Sequence, residues 1–215
     1  MAEVLFSRPD DDIMLSYLHY YSKELVKISN ELGHQTIDKE KEDANKRVIT
    51  SIILKQKPKL IMFNGHGSPE EICGHKKEVI ISAKENAGIL KGAIVYALSC
   101  ASALTLGPKS VKEGTICFVG YDFDFALGKD RDSEASPKHD KLARLFLKPS
   151  NTLFANLLNK KDVKTSVEKA KKEMQDNIDY LHTTDSIPDA IYYAPYLFSN
   201  RLGLITHGDS SASIN

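Results

Sequence analysis

Lys59-Leu60-Ile61-Met62-Phe63-Asn64-Gly65-His66-Gly67 and Ala93-Ile94-Val95-Tyr96-Ala97-Leu98-Ser99-Cys100 are two apolar runs that each end on a residue capable of chemistry. Short apolar runs bounded by Gly and polar residues read as buried strands. In an open parallel sheet the carboxyl ends of neighbouring strands converge on one crevice, where such folds place their ligands. A histidine and a cysteine would meet there. An imidazole beside a thiol takes its proton or stabilises the thiolate, and that pairing makes a nucleophile for acyl transfer.

Outward from these strands the chain alternates. Glu3-Val4-Leu5-Phe6-Ser7 reads as a strand, and Pro9 with Asp10, Asp11 and Asp12 breaks it and caps a helix. From Ile13 to Leu32 apolar residues recur with helical period at Leu15, Leu18, Leu25, Ile28 and Leu32, and Gly33 supplies the stop. A weak extended segment around Gln35-Thr36-Ile37 precedes a second helix carrying Val48, Ile49, Ile52 and Ile53, which Lys57-Pro58 ends. This β-α-β-α-β order predicts a mostly parallel sheet with helices on both faces. Val79-Ile80-Ile81 suggests a hairpin, residues 101–106 a helix after Cys100, and Ile116 to Tyr121 another buried strand. Residues 122–140 read as a charged surface loop, residues 141–181 as helical with breaks near Pro149 and Asn159, and Leu202 to Thr206 as the closing strand. The expectation is an α/β three-layer domain over residues 1–209, about six central strands, and a disordered tail at 210–215.

Composition narrows the function. At 215 residues the chain suits one domain. Its 29 basic and 29 acidic residues cancel, so no global field draws it to nucleic acid or to a membrane surface. The free, odd set Cys73, Cys100 and Cys117 fits a reducing compartment, with the cytoplasm as the expected location. The start of the chain has no basic residue followed by a long apolar stretch, so the expectation is a soluble protein that is not exported. Gly65-His66-Gly67-Ser68 lacks the length and lysine of a phosphate loop. Cys73 and His75 with His66 and His207 evoke zinc, yet no second closely spaced pair completes a tetrahedron, so neither metal nor cofactor is expected.

Cys100 has a plain alternative as an inert buried thiol, and His66 as a surface histidine in a turn. Small neighbours, Ser99, Ala101, Ser102 and Ala103, leave room around the sulfur, and Gly65 and Gly67 permit close approach of a substrate to His66. The amides of Gly67 and Cys100 are natural oxyanion donors.

Asn64-Gly65-His66-Gly67 after one apolar strand, and Leu98-Ser99-Cys100-Ala101-Ser102 ending the next, resemble the caspase-like cysteine peptidases of clan CD: caspases, metacaspases, gingipains, clostripain, separase and CHAT proteases. Phe118 to Asp122 and the end of the chain, Leu197 to Asp209, look nearest the gingipain, separase and CHAT branch. The resemblance implies a caspase-like sandwich and an endopeptidase acting on protein or peptide substrates. It casts His66 as general base or acid, Cys100 as nucleophile, and Gly67 with Cys100 as oxyanion hole. One departure stands out: clostripain and metacaspases carry an acidic residue two positions before the cysteine, where this chain has Leu98. Asp122 and Asp124, beside Ser99 in the expected substrate site, could replace it and favour Arg or Lys before the cleaved bond. Preference for Asp would instead need an arginine, and Arg131 is the nearest. Self-cleavage at Lys129, Arg131 or Lys138, or activation by a regulatory partner, fits the same family. Two other readings stay open: a catalytically silent caspase-like or flavodoxin-like interaction module, and a thiol hydrolase acting on a small molecule in a closed pocket.

Overall fold

A computed structural model describes residues 2–130 and 136–214. Its centre is a six-stranded sheet in the order β2-β1-β3-β7-β8-β9. The strands are β1 (Glu3–Arg8), β2 (Gln35–Glu40), β3 (Leu60–Asn64), β7 (Ile94–Leu98), β8 (Cys117–Tyr121) and β9 (Leu204–Gly208). All pairings are parallel except β8 with β9. The segment around Gln35 is therefore a full edge strand. Arg8, buried at the end of β1, fixes that edge: its Nε and Nη2 donate to Asp38 Oδ1 and Oδ2 at 2.8 and 2.6 Å, and Nη2 also reaches Glu40 at 2.9 Å.

The four inner strands, β1, β3, β7 and β8, are apolar on both faces, which is why they read as continuous runs. Val4, Phe6, Leu60, Met62, Ile94, Tyr96, Val119 and Tyr121 point to one layer, built from α1 (Ile13–Glu31), α4 (Lys141–Leu158), α5 (Val163–Thr183) and α6 (Ala194–Gly203). Leu5, Ile61, Phe63, Val95, Ala97 and Phe118 point to the other, built from α2 (Lys46–Gln56), α3 (Leu106–Lys112) and a small antiparallel sheet. That sheet, β4 (Gly67–Ser68), β5 (Glu71–Cys73) and β6 (Val79–Ser82), replaces the expected hairpin. No helix among the described residues is long and apolar enough to cross a membrane.

Three expectations need correction. Residues 100–105 form turns, and the helix after Cys100 starts only at Leu106. The reason is that the Ala101 and Ala103 amides are taken by the carbonyls of Phe123 and Tyr121, at 3.0 and 2.9 Å. Pro149 does not split α4. A proline in mid-helix strands the carbonyl four residues earlier, and here the Asn177 side chain of α5 donates to that carbonyl, Leu145 O, at 2.8 Å. The described part of the tail, 210–214, is packed: the amides of Val163 and Lys164 donate to Ala212 and Ser210, and Ile214 is buried.

Phe154 of α4 sits edge-on to Phe6 at 5.3 Å between centroids and lies 6.3 Å from Tyr96, joining the helical layer to the centre of the sheet. Phe154→Ala should therefore cost about 3–5 kcal/mol of stability, measured as a fall in the denaturant midpoint.

Candidate active site

Strand register places the two candidate residues. Asn64, last in β3, pairs with Leu98, last in β7, and the Gly65 amide continues to Leu98 O at 3.3 Å. His66 and Cys100 each lie two residues beyond that rung, on strands spaced by ~4.8 Å. The strand order reverses between β1 and β3, so the chain leaving β3 towards His66 starts beside the switch point of the sheet. Gly67 then passes so close that a Cβ there would lie 2.7 Å from Cys100 O and 2.9 Å from Ser99 Cβ. Only glycine permits that approach. Ser99 itself is buried, its hydroxyl donating to Ser102 Oγ at 2.8 Å.

A third residue joins the pair. Asp12 caps α1 through the Leu15 amide at 2.8 Å, and its other oxygen meets His66 Nε2 at 2.6 Å. A carboxylate only accepts, so Nε2 carries a proton, and the tautomer that this bond selects has its lone pair on Nδ1. Burial pushes the Asp12 carboxyl up, but the Leu15 amide and the hydrogen bond and charge of His66 outweigh it and hold it below its ordinary 3.8. The sequence marks Asp12 as a cap; nothing in it signals a partner 54 residues away.

Cys100 is half-buried beneath the segment that follows β8. Burial raises its thiol above the ordinary 9.0, and the Asp124 carboxylate adds to that; hydrogen bonds from the Phe125 amide and from its own amide act in the opposite direction. No helix N-terminus lies at the sulfur, because α3 begins six residues later at Leu106. No hydrogen bond among the described residues joins His66 to the sulfur; the thiol favours its protonated form, and the imidazole is oriented by Asp12. The overlying segment is firmly held. Fully buried Asn200 of α6 accepts from the Ala126 amide at 2.9 Å and donates to the Ala126 carbonyl at 2.7 Å. The Phe123 ring lies over Gly203, where a Cβ would come within 2.6 Å of it.

The two candidate specificity carboxylates separate. Asp124 is exposed, with its charge acting on Cys100, whereas Asp122 is half-buried and acts on Lys171, beside Arg201. Arg131 lies outside the described residues. His207 is spent on Ala103 O at 2.8 Å, and the described residues contain no group of three side chains suited to a metal ion.

The chain matches no known family profile and no curated protein sequence. Its fold, however, is that of gingipain R, an Arg-specific cysteine proteinase: 9% identity, TM-score 0.65, over 99% of this chain and 47% of that one. It is also similar to the complex of Porphyromonas gingivalis RgpB pro- and mature domains, at 10% identity and TM-score 0.60, over 99% of this chain and 48% of that one. The chain thus spans about half the length of these neighbours. The six-stranded α/β sandwich is a caspase-like fold.

Because the Asp12 carboxyl is lowered on folding, its contribution to stability is complete above 3.8 and is lost as the pH falls through the folded value. Asp12→Ala should lose about 1 kcal/mol near neutrality through the missing cap. It should then show a smaller further loss than wild type on acidification. Urea midpoints on both sides of the carboxylate range check this, and parallel declines in the two proteins would refute it.

Proposed function

We propose that the protein is a cysteine endopeptidase in which Cys100 is the nucleophile, His66 the general base and acid, and Asp12 the residue that orients the imidazole. The observation that supports this reading is that His66 and Cys100 each follow two residues beyond paired ends of adjacent strands, with the His66 ring held by the Asp12 carboxylate. As the sulfur attacks the peptide carbonyl, the thiol proton passes to His66 Nδ1 and a carbon–sulfur bond forms. The amides of Gly67 and Cys100 take the developing oxyanion. The imidazolium then gives its proton to the departing amine as the carbon–nitrogen bond breaks, leaving a thioester. Water, deprotonated by the same ring, hydrolyses it and restores the thiol. A raised thiol suits this order of events, since the proton leaves during attack and no thiolate stands ready beforehand.

The substrate is a protein or peptide. Asp124, open at the mouth of the crevice, favours Arg or Lys before the cleaved bond, with Asp122 behind it on the same segment. The rival is a silent interaction module of the same fold, and the protonated, covered thiol is the feature that favours it.

A peptide library should be cleaved by wild-type protein and untouched by Cys100→Ala, while His66→Ala lowers kcat by roughly 10²- to 10⁴-fold. Rejection of Arg and Lys before the scissile bond would remove Asp124 from the specificity site. Iodoacetamide separates the two readings: in a peptidase Cys100 labels faster than Cys73 and Cys117, still accelerates above pH 9.0, and changes its pH profile in His66→Ala. Labelling that is indifferent to His66 supports the silent module.

A further inference from the structure

Asp10, Asp11 and Asp12 face three different histidines. Asp10 lies 3.7 Å from His19, Asp12 holds the ring of His66, and Asp11 Oδ1 lies 3.5 Å from His75 Nδ1. The middle pair has no part in the chemistry so far. Its two facing atoms are both buried, and neither makes a hydrogen bond, so the pair meets as charge and dipole alone. The other oxygen of Asp11 accepts from the Lys76 amide at 2.8 Å.

The turn that Asp11 grips is strained and leads directly to His66. Lys76 and Lys77 adopt φ of 54° and 59°, the left-handed region that side chains with a Cβ avoid. Two such residues in succession persist only where their surroundings impose them. Asp11 acts on one side of the turn and Ala44 on the other, its carbonyl accepting from the His75 amide at 2.8 Å. Upstream the turn continues through Gly74 into Cys73. The Cys73 amide donates to the His66 carbonyl at 2.9 Å, and the Cys73 carbonyl sits against Gly65 with no space for a side chain. Adjacent carboxylates thus hold one histidine in two ways, Asp12 by its ring and Asp11 by the strand that carries its backbone.

We infer that Asp11 and His75 are positioning residues for His66: by clamping the 74–77 turn they fix β5, and with it the backbone from which the imidazole reaches Cys100. The inference rests on the peptidase reading for its kinetic consequence and on geometry alone for its effect on the ring. Asp11→Ala should lower kcat by roughly 10- to 100-fold with KM nearly unchanged, the scale of a small misplacement of a reacting group. Asp11→Asn should restore most of it, because the amide oxygen still accepts from Lys76. Assays would use a fluorogenic peptide amide with Arg before the scissile bond, alongside nitrogen-15 NMR of the His66 ring. The ring should give one sharp set of signals in wild type and Asp11→Asn, and broadened or multiple signals in Asp11→Ala. If wild type cleaves nothing while the ring signals respond in this way, the peptidase reading fails and the clamp stands. Folded Asp11→Ala with wild-type kcat and wild-type ring signals overturns the clamp, as does failure of Asn to rescue. If Asp11→Ala does not fold, His75→Ala probes the same pair, and unchanged ring signals there overturn it.

Discussion

Parallel pairing of β3 with β7 is the constraint on which the site depends. A parallel strand next to its neighbour has one permitted register when both faces are buried, because a shift by one residue would turn every apolar side chain to the wrong layer. Met62 and Tyr96 face one core, and Phe63 and Ala97 the other, so Asn64 opposite Leu98 follows. His66 and Cys100 then each follow two residues beyond that rung, with no hydrogen bond between them among the described residues. The energy that sets their positions is the burial of the strands behind them.

The electrostatics of the crevice divide the labour unevenly. The imidazole is prepared in advance: Asp12 fixes its tautomer and its orientation. The thiol is left protonated by burial and by a neighbouring carboxylate, while two amides wait beside the sulfur. Burial and a neighbouring carboxylate thus favour the uncharged thiol, whereas the ring is already oriented. The price is that the site depends on the exact placement of the ring, and the supports around His66 are correspondingly dense.

Much of this was legible in the chain because it is local. The apolar runs at 60–63 and 94–98 are pure enough to be strands, Gly65 and Gly67 announce a backbone under close approach, and Asp12 stands where a cap belongs. What escaped is non-local. Whether Ala101 begins a helix depends on carbonyls of Tyr121 and Phe123, and whether Pro149 breaks one depends on an asparagine in the following helix. The meeting of Asp12 with His66 arises from the β1–β3 pairing, which no spacing encodes. Asp122 and Asp124 alternate along one segment, so the charge of Asp124 acts on Cys100 and that of Asp122 on Lys171, and their separation required knowing where α5 and α6 lie.

Asn200 touches the segment over Cys100 solely through the main-chain atoms of Ala126. Every amino acid except proline offers the same two groups, so the anchor is blind to side-chain identity. Phe123 and Phe125 are further held by their rings, on Gly203 and Tyr121, so Asp124, exposed between them, is the position free to change while the path stays the same. The course of the chain over the sulfur is thereby set by main-chain groups, independently of the exposed side chain at 124.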